Sequence, residues 1–218
     1  MRRKNFISLS YIAPLLVVAG IATSTAQETG DDVEEPVVTH IVVLNTSLGA
    51  IEIGLYGSDA PKTVANFVGL VDSAFYDGIL FHRVHPGFVI QAGDPKTRDS
   101  ALRHEWGTGG TSIYGGVFAD ELNPSTPSYK RGYKRGVVAM ANRGKNTNTS
   151  QFFVLLKDVS IPKNYTMFGY VKDMTTVDSI AGVELVEVGG LGGKPKVPVV
   201  IVSATSRVVE SDGEAPEE

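Results

Sequence analysis

Short runs of apolar residues, separated by turn-forming residues, follow one another along most of the chain and are typical of β-strands. Residues 37–44 and 50–55 are rich in Val, Ile and Leu, and residues 45–49 between them have turn chemistry. This pattern predicts a β-hairpin. Further strands are predicted at 81–84, 88–90, 136–141, 151–156, 166–171 and 197–204.

Two segments have the spacing of a helix instead. Between residues 64 and 71 apolar side chains recur at i, i+3, i+4 and i+7, which places one apolar stripe on a helix. Asp59 suits the N-cap of this helix and Pro61 its first turn, and Asp77-Gly78 is expected to end it. A second, short helix is predicted at 176–181.

Many short strands with only two helices favour an all-β fold over an alternating parallel sheet. We expect an antiparallel sheet closed into a β-barrel, because closure leaves no free sheet edge. The chain has 218 residues, of which 42% are hydrophobic, enough for one sizeable core. We assign this single domain to residues 39–208.

The two ends of the chain differ from this pattern. Residues 1–26 have a basic start, an apolar run and then small residues, which predicts a cleaved secretory signal peptide; an uncleaved membrane anchor is the alternative. Residues 27–38 are expected to form a flexible acidic leader and residues 209–218 a disordered acidic tail.

Charge and cysteine content exclude several functions. The formal net charge is -4 and becomes more negative without the basic start, so the balance is poor for a nucleic-acid binder. The chain has no cysteine, which excludes disulfides, thiolate chemistry and cysteine-based zinc sites.

The segment 81–94, FHRVHPGFVIQAGD, carries the strongest candidate chemistry. A turn at 85–87 joins two apolar runs and places Arg83 and Gln91 as the polar groups beside Phe88. A mostly apolar hollow with a few directed donors is the usual form of a ligand site. Taken alone, however, Arg83 also fits a surface strand residue in an ion pair.

Three long motifs in order connect this segment to a known family. They are FHRVHPGFVIQAGD at 81–94, GTGGTSIYGGVFADE at 107–121 and MANRGKNTNTSQFF at 140–153, and the chain resembles the cyclophilin peptidyl-prolyl isomerases from about residue 39 to residue 206. The resemblance implies an eight-stranded barrel whose ends are covered by two helices. It also places the substrate groove on the outside of the barrel wall.

The resemblance implies that the chain rotates Xaa-Pro peptide bonds. Rotation loses amide resonance, a barrier of roughly 18–20 kcal/mol, but breaks no bond, so we expect no metal and no cofactor. The catalyst must stabilise a twisted amide whose prolyl nitrogen has regained its lone pair. Arg83 matches the family's catalytic arginine, and a permanently charged guanidinium suits this task better than an amine.

Further site residues follow from the same resemblance. Phe88, Met140 and Phe153 are expected to line the pocket for the proline ring, and Gln91 to fix the arginine or the substrate carbonyl. The remaining expected substrate-binding residues are Ala141, Asn142, Gln151, Ile161 and Tyr165.

Three departures from the family pattern are visible. Ser160 stands where many members have a bulky residue such as tryptophan, so we expect weak binding of cyclosporin-like inhibitors. Arg143 replaces a small residue and is expected to favour acidic substrates. The long polar segment 95–106, which holds the only tryptophan, is expected to be a surface loop folded back on itself, or alternatively to reach over one end of the groove.

Together these features predict a monomeric isomerase of proline-containing polypeptides that assists the folding of exported clients. We expect it to be periplasmic or secreted, or tethered to a membrane if residues 1–26 are retained, and to bind no nucleic acid. The rival hypothesis is a binding or chaperone module that uses the same pocket without turnover. The presence of both Arg83 and Gln91 favours an enzyme, because gripping an apolar ring needs neither.

Overall fold

The computed structural model describes residues 34–210, whose strands join into one ten-stranded sheet. The strands are β1 (His40–Thr46), β2 (Gly49–Leu55), β3 (Arg83–His85), β4 (Val89–Ala92), β5 (Val137–Met140), β6 (Phe152–Leu155), β7 (Met167–Val171), β8 (Leu185–Gly189), β9 (Gly192–Pro195) and β10 (Ile201–Val208). The helices are α1 (Pro61–Asp72), α2 (Pro127–Arg131) and α3 (Thr175–Ala181), with 3-10 helices at Pro95–Arg98 and Ser100–Glu105.

Neighbouring strands are antiparallel throughout, in the order β10-β1-β2-β7-β5-β6-β4-β3-β9-β8. The predicted all-β architecture is therefore confirmed, although residues 34–210 hold three α-helices rather than the two expected. The hairpin at the start of the domain is also present, although β1 begins at His40 rather than at residue 37.

The closed eight-stranded barrel is not confirmed, because the sheet has ten strands and an open order. The segment before β3 meets the start of β10 at a short bridge, Leu80 with Val200, flanked by backbone hydrogen bonds from Phe81 N to Val199 O and from Ile201 N to Ile79 O. Beyond that bridge the free edge of β3 is occupied by β9, through the pair Val84 and Gly193. The hairpin formed by β8 and β9 therefore extends the sheet beyond β3.

Helix α1 buries the predicted stripe, with Val64, Phe67 and Val71 in the core, and begins at Pro61 as predicted, but the predicted N-cap and C-terminal end are wrong. The N-cap is Ala60, while the Asp59 carboxylate instead accepts a hydrogen bond from Ser128 N at 2.7 Å. The helix ends at Asp72 rather than near residue 77.

A Schellman motif explains the early end of α1. Ala74 has a φ of 54°, and the amides of Ala74 and Phe75 donate to Val71 O and Leu70 O. This turn directs Tyr76 into the core, where its ring lies 5.0 Å from that of Phe67. Glycine is the usual residue at this position, so an alanine gave no signal in the sequence.

Alternation along the central strands separates two apolar layers. Ile90 of β4 and Val154 of β6 point into the main core together with the side chains of α1. Val89 and Phe153, one residue away on the same strands, point to the opposite side of the sheet and join a smaller cluster there. The candidate site lies on this second side, which agrees with a groove outside the barrel wall.

The segment 95–106 forms the two 3-10 helices rather than an irregular loop. Its start and end are held together by Asp94, whose carboxylate accepts from Lys96 N at 2.9 Å and from Gly107 N at 2.6 Å. The segment therefore folds back on itself as expected. Trp106, at its end, lines a cavity that also contacts Arg83, so the segment approaches the groove as well.

The predictions for the signal peptide at 1–26, for most of the acidic leader and for residues 211–218 of the tail lie outside the described residues. Within the leader, Glu35 pairs with Arg131 and Pro36 is buried. Over residues 34–210, no helix combines the length and apolarity needed to cross a membrane.

Candidate active site

Arg83 lies directly opposite Gln91 in the ladder between β3 and β4, so both side chains leave the same face of the sheet. Arg83 Nη1 donates to Gln91 Oε1 at 2.8 Å, and Arg83 Nε donates to the Leu191 carbonyl at 2.6 Å. The guanidinium makes no other hydrogen bond to residues 34–210. Two contacts thus fix its plane, and its remaining N–H groups are available to a ligand.

A relay of amides continues from Gln91 away from the arginine. Gln91 Nε2 donates to Gln151 Oε1 at 2.9 Å, and Gln151 Nε2 donates to the carbonyls of Gly107 at 3.1 Å and Gly109 at 2.6 Å. Because the Gln91 amide nitrogen is directed to Gln151, Gln91 presents its oxygen to Arg83. The relay therefore orients the arginine.

The charge of Arg83 is not neutralised by a carboxylate. None of the ion pairs found within residues 34–210 includes Arg83. Burial lowers the pKa of the guanidinium below its usual value, because leaving water disfavours the charged form, and the nearby Tyr165 partly opposes this effect. An arginine nevertheless keeps its proton at neutral pH, so a half-buried cation faces the groove.

A cavity of about 460 Å³ adjoins the guanidinium. Phe88 and Phe153 form part of its wall, and Tyr165 packs edge-on against Phe153 with ring centroids 5.5 Å apart. Ile161 also lines it. Arginine, glutamine and these aromatic and aliphatic side chains therefore meet in one depression.

The prediction for Met140 is wrong. Its side chain is fully buried in the main core and does not line the cavity. On β5, Ala139 faces the site side, so its neighbour Met140 must point the opposite way.

Val89 takes the place expected for Met140. It lines the cavity and belongs to the site-side cluster. Strand alternation would have found it, since Val89 lies two residues before Gln91 on β4 and must share its face.

Ala141 and Asn142 follow β5 and form the opposite rim of the cavity. Ala141 N donates to Gln151 O at 2.9 Å, and Asn142 Nδ2 donates to Asn164 O at 2.8 Å. Over residues 34–210 the backbone N–H and C=O of Asn142 have no hydrogen-bond partner. This peptide unit can therefore pair with an extended ligand.

A second cavity of about 350 Å³ shares Gln91, Ala141 and Asn142 with the first. Gln151 lines this cavity and not the first one. Arg143 spans it, donating from Nη2 to the carbonyls of Gly107 and Thr108 on the far rim. Ser160, in contrast, lies outside both cavities.

His82, next to Arg83, is buried on the other side of the strand, with 4% of its surface exposed. Neither ring nitrogen makes a hydrogen bond of good geometry to residues 34–210. Burial lowers the pKa of His82 to about 4, although Asp94 and the Leu80 backbone act in the opposite direction. The folded chain therefore holds this imidazole neutral.

We expect stability to fall as the pH is lowered from 6.5 to 4. Between these values the unfolded chain binds a proton on His82 that the folded chain does not, so stability rises with pH across this window. At about 1.36 kcal/mol per pKa unit, the effect is up to about 3 kcal/mol. His82→Phe should remove most of it in urea unfolding measured from pH 4 to 7, whereas His104→Gln, at an exposed histidine, should not. An equal pH dependence in both variants would contradict this assignment.

The comparisons with known proteins agree with the geometry. The family model described as "Cyclophilin type peptidyl-prolyl cis-trans isomerase/CLD" matches residues 41–206. The chain belongs to the cyclophilin family. This confirms the predicted family and the predicted enzyme class, an isomerase.

Two curated relatives show different extents of likeness. The peptidyl-prolyl cis-trans isomerase-like 1 of Gibberella zeae is 39% identical over 176 residues, which are 80% of this chain and 98% of the relative. The peptidyl-prolyl isomerase CWC27 of Cryptococcus neoformans is 41% identical over 139 residues, which are 63% of this chain and 26% of the relative. The chain thus spans about a quarter of the length of its CWC27 relative.

A crystal structure of a Cryptosporidium parvum cyclophilin has a TM-score of 0.65 and 30% identity, and the match covers 80% of this chain and 99% of that one. A second crystal structure of that protein, in the presence of the dipeptide Ala-Pro, has a TM-score of 0.63 and 31% identity, and covers 79% and 99%. The cyclophilin fold is therefore shown independently of the motifs.

The same relatives correct the predicted location. They are eukaryotic isomerases named CWC27 and isomerase-like 1, and neither name is that of an exported, periplasmic or secreted protein. The prediction of an exported protein with exported clients is therefore wrong. The alternative of a membrane tether depended on residues 1–26, which lie outside the described residues.

Proposed function

We propose that this cyclophilin catalyses cis–trans rotation of Xaa-Pro bonds in polypeptides, with Arg83 hydrogen-bonding the prolyl nitrogen of the twisted amide. The observation that carries the proposal is that the Arg83 guanidinium, which is held by two hydrogen bonds and forms no ion pair within residues 34–210, adjoins a mostly apolar cavity. In this proposal the cavity binds the proline ring, and the Arg83 guanidinium donates a hydrogen bond to the prolyl nitrogen.

The expected rate gain comes from differential binding. A planar amide nitrogen is a very poor acceptor, whereas the nitrogen of a twisted amide has a localised lone pair. A donor aimed at that nitrogen is therefore used mainly in the transition state, which is the condition for acceleration. Because Gln91 and Leu191 already hold Arg83, little reorganisation is needed when the amide turns.

The substrate chain is held on both sides of the ring. The proline ring is surrounded by five side chains of the cavity wall: Phe88, Val89, Phe153, Ile161 and Tyr165. The backbone N–H and C=O of Asn142, which have no partner within residues 34–210, pair with the peptide beside the ring. Gln91 positions Arg83, and Gln151 positions Gln91. Met140 supports this wall from the main core and does not contact the ring.

Exchange spectroscopy on a short Xaa-Pro peptide tests the activity, because it measures the cis–trans rate at equilibrium. We expect the chain to accelerate exchange catalytically, far below stoichiometric amounts. Binding of the peptide with an unchanged exchange rate would support the rival binding module instead.

We also propose that the enzyme is a monomer that binds cyclosporin-like macrocycles weakly. The chain has one tryptophan, Trp106, and this residue lines a different cavity from the one assigned to the proline ring. The proposed ring cavity therefore lacks an indole with which such a macrocycle would make contact.

Arg143 is proposed to favour an acidic residue near the proline. Its guanidinium extends across the second cavity and, among residues 34–210, hydrogen-bonds only to carbonyl oxygens, so no carboxylate in that range neutralises its charge. At low salt we expect kcat/KM for a peptide with Glu flanking the proline to exceed that of the Lys peptide by roughly threefold, the size of a solvent-exposed charge interaction.

Arg143→Ala should abolish this preference while leaving the rate on an uncharged peptide nearly unchanged. Lys145→Ala is the matched control, because Lys145 lies in the same loop but does not line this cavity. A preference that survives in Arg143→Ala, or that is lost equally in both variants, would contradict the assignment.

A further inference from the structure

The turn between β8 and β9 supplies one of the two contacts that fix Arg83. This turn is Gly190-Leu191, and the Leu191 carbonyl accepts the hydrogen bond from Arg83 Nε at 2.6 Å. The Leu191 side chain also lines the proposed ring cavity. The position of this short turn therefore helps to set where the arginine points, together with Gln91.

The hairpin of β8 and β9 is poorly suited to hold that position by itself. Four of the five residues from 189 to 193 are glycine. The side chains of Val188 and Leu191 are 69% and 76% exposed. It joins the rest of the sheet through one register pair, Val84 with Gly193. A two-stranded hairpin of this kind is marginally stable in water, so its orientation depends on other contacts.

Those contacts come from the segment 95–106, through a set of charged residues that we call the hairpin brace: Arg103, Glu187 and Lys194. Arg103 Nε pairs with Glu187 Oε1 at 2.7 Å, Lys194 pairs with Glu187 Oε2, and Lys194 Nζ donates to Arg103 O at 2.9 Å. Both cations also lie over the Trp106 ring, at 4.9 Å for Arg103 and 5.9 Å for Lys194.

The backbone at Glu187 is strained in the conformation that reaches the brace. Glu187 has a φ of 54°, at a register shift between β8 and β9. A non-glycine residue in this region costs of order 1–3 kcal/mol and persists only where surrounding contacts hold it. Here Arg103 from the 95–106 segment and Lys194 from β9 both pair with the Glu187 carboxylate, and Lys194 in turn donates to Arg103 O.

We infer that the hairpin brace is a positioning device for Arg83, which holds the β8–β9 turn so that the Leu191 carbonyl keeps the guanidinium aimed at the groove. This inference rests on the proposed function, since it assigns the brace to the same arginine. It gives the 95–106 segment a role in catalysis without any contact to substrate. Arg103, Glu187 and Lys194 are positioning residues in this scheme, not catalytic ones.

The test compares Glu187→Gln with Glu184→Gln in the full chain. Glu184 is the matched control because it forms an ion pair with Lys196 on the same hairpin, at 2.8 Å, away from the turn. We expect Glu187→Gln to lower kcat roughly fivefold on an uncharged peptide, about 1 kcal/mol at 1.36 kcal/mol per tenfold, with KM nearly unchanged. Glu184→Gln should retain the wild-type rate.

A second readout is independent of activity. The Nε–H NMR signal of Arg83 should move toward that of a solvent-exposed arginine in Glu187→Gln and stay in place in Glu184→Gln. If Glu187→Gln lowers only thermal stability, leaving kcat and this signal as in the control, the brace is merely structural and the inference is overturned. If the wild type has no isomerase activity, the proposed function fails while the signal still reports on positioning.

If Glu187→Gln does not fold, Lys194→Gln and the wild type in 1 M salt provide the same comparison. Salt screens partly exposed ion pairs, so the Arg83 signal should move in the same direction in both experiments. An unmoved signal in both would overturn the inference.

Discussion

Replacing Arg83 with alanine is expected to lower kcat/KM for Xaa-Pro exchange by roughly 10²–10³-fold, the usual loss for one preorganised donor at a developing charge. The loss should fall mainly on kcat, because the apolar seat for the ring stays intact. The fold should survive, since the Arg83 side chain lies on the outer face of the sheet and forms no ion pair with residues 34–210. Exchange spectroscopy with circular dichroism measures both properties.

Two variants make this result specific. Arg83→Lys keeps the charge but cannot donate to Gln91 and Leu191 while also reaching the prolyl nitrogen, so we expect it to recover little activity. Arg207→Ala removes an exposed arginine on β10 and should retain the wild-type rate. If Arg83→Ala exchanges proline at the wild-type rate, the pocket is a binding site and the proposed mechanism is lost.

The pairing of Arg83 with Gln91 could be predicted because it depends on local sequence. A short turn at 85–87 fixes the register of two strands, and register decides which side chains share a face. By the same rule, residues that lie opposite one another on the next two strands share this face: Gln91 lies opposite Phe153, and Phe153 lies opposite Ala139. Motif resemblance and strand geometry therefore agree on the centre of the site.

Met140 was expected to line the ring pocket from its place in a motif, but Val89 lines the cavity instead. Met140 and Ala141 are adjacent on an extended segment, so they cannot both face the groove, yet both lie within one motif. Val89 lies two residues from Gln91 on β4 and therefore shares its face of the sheet. Ala139 lies opposite Phe153 on the site side, so the next residue, Met140, must face the core. Residue identity within a motif was thus weaker evidence than the period of the strand.

Other features left no signal in the sequence. The Leu191 contact to Arg83 uses a backbone carbonyl, which every residue has, and its hairpin is too rich in glycine to show a strand pattern. The same hairpin extends the sheet beyond β3. Contacts between residues more than 100 positions apart decided both outcomes, and no local pattern encodes them.

Replacing Asp94 with alanine is expected to have the largest effect on stability among the site variants. Its carboxylate is fully buried and accepts from three backbone amides, those of Lys96, Gly107 and Gly109, at 2.9, 2.6 and 3.0 Å. Hydrogen bonds to a charged group contribute roughly 1.5–3 kcal/mol each, and they are not additive, so we expect a loss of roughly 3–5 kcal/mol. Urea unfolding at pH 7 measures it.

Activity should fall as well, because Asp94 holds the carbonyls that orient Gln151. Without it the Gly107–Gly109 backbone is released, and the relay through Gln91 to Arg83 loses its fixed end. Asp99→Ala is the matched control: Asp99 caps the neighbouring 3-10 helix through Ala101 N at 2.8 Å and should cost only about 1 kcal/mol. An equal loss of unfolding free energy in the two variants would show that Asp94 acts as an ordinary cap. A larger loss in Asp94→Ala, together with a lower exchange rate in the folded protein, supports its place at the end of the relay.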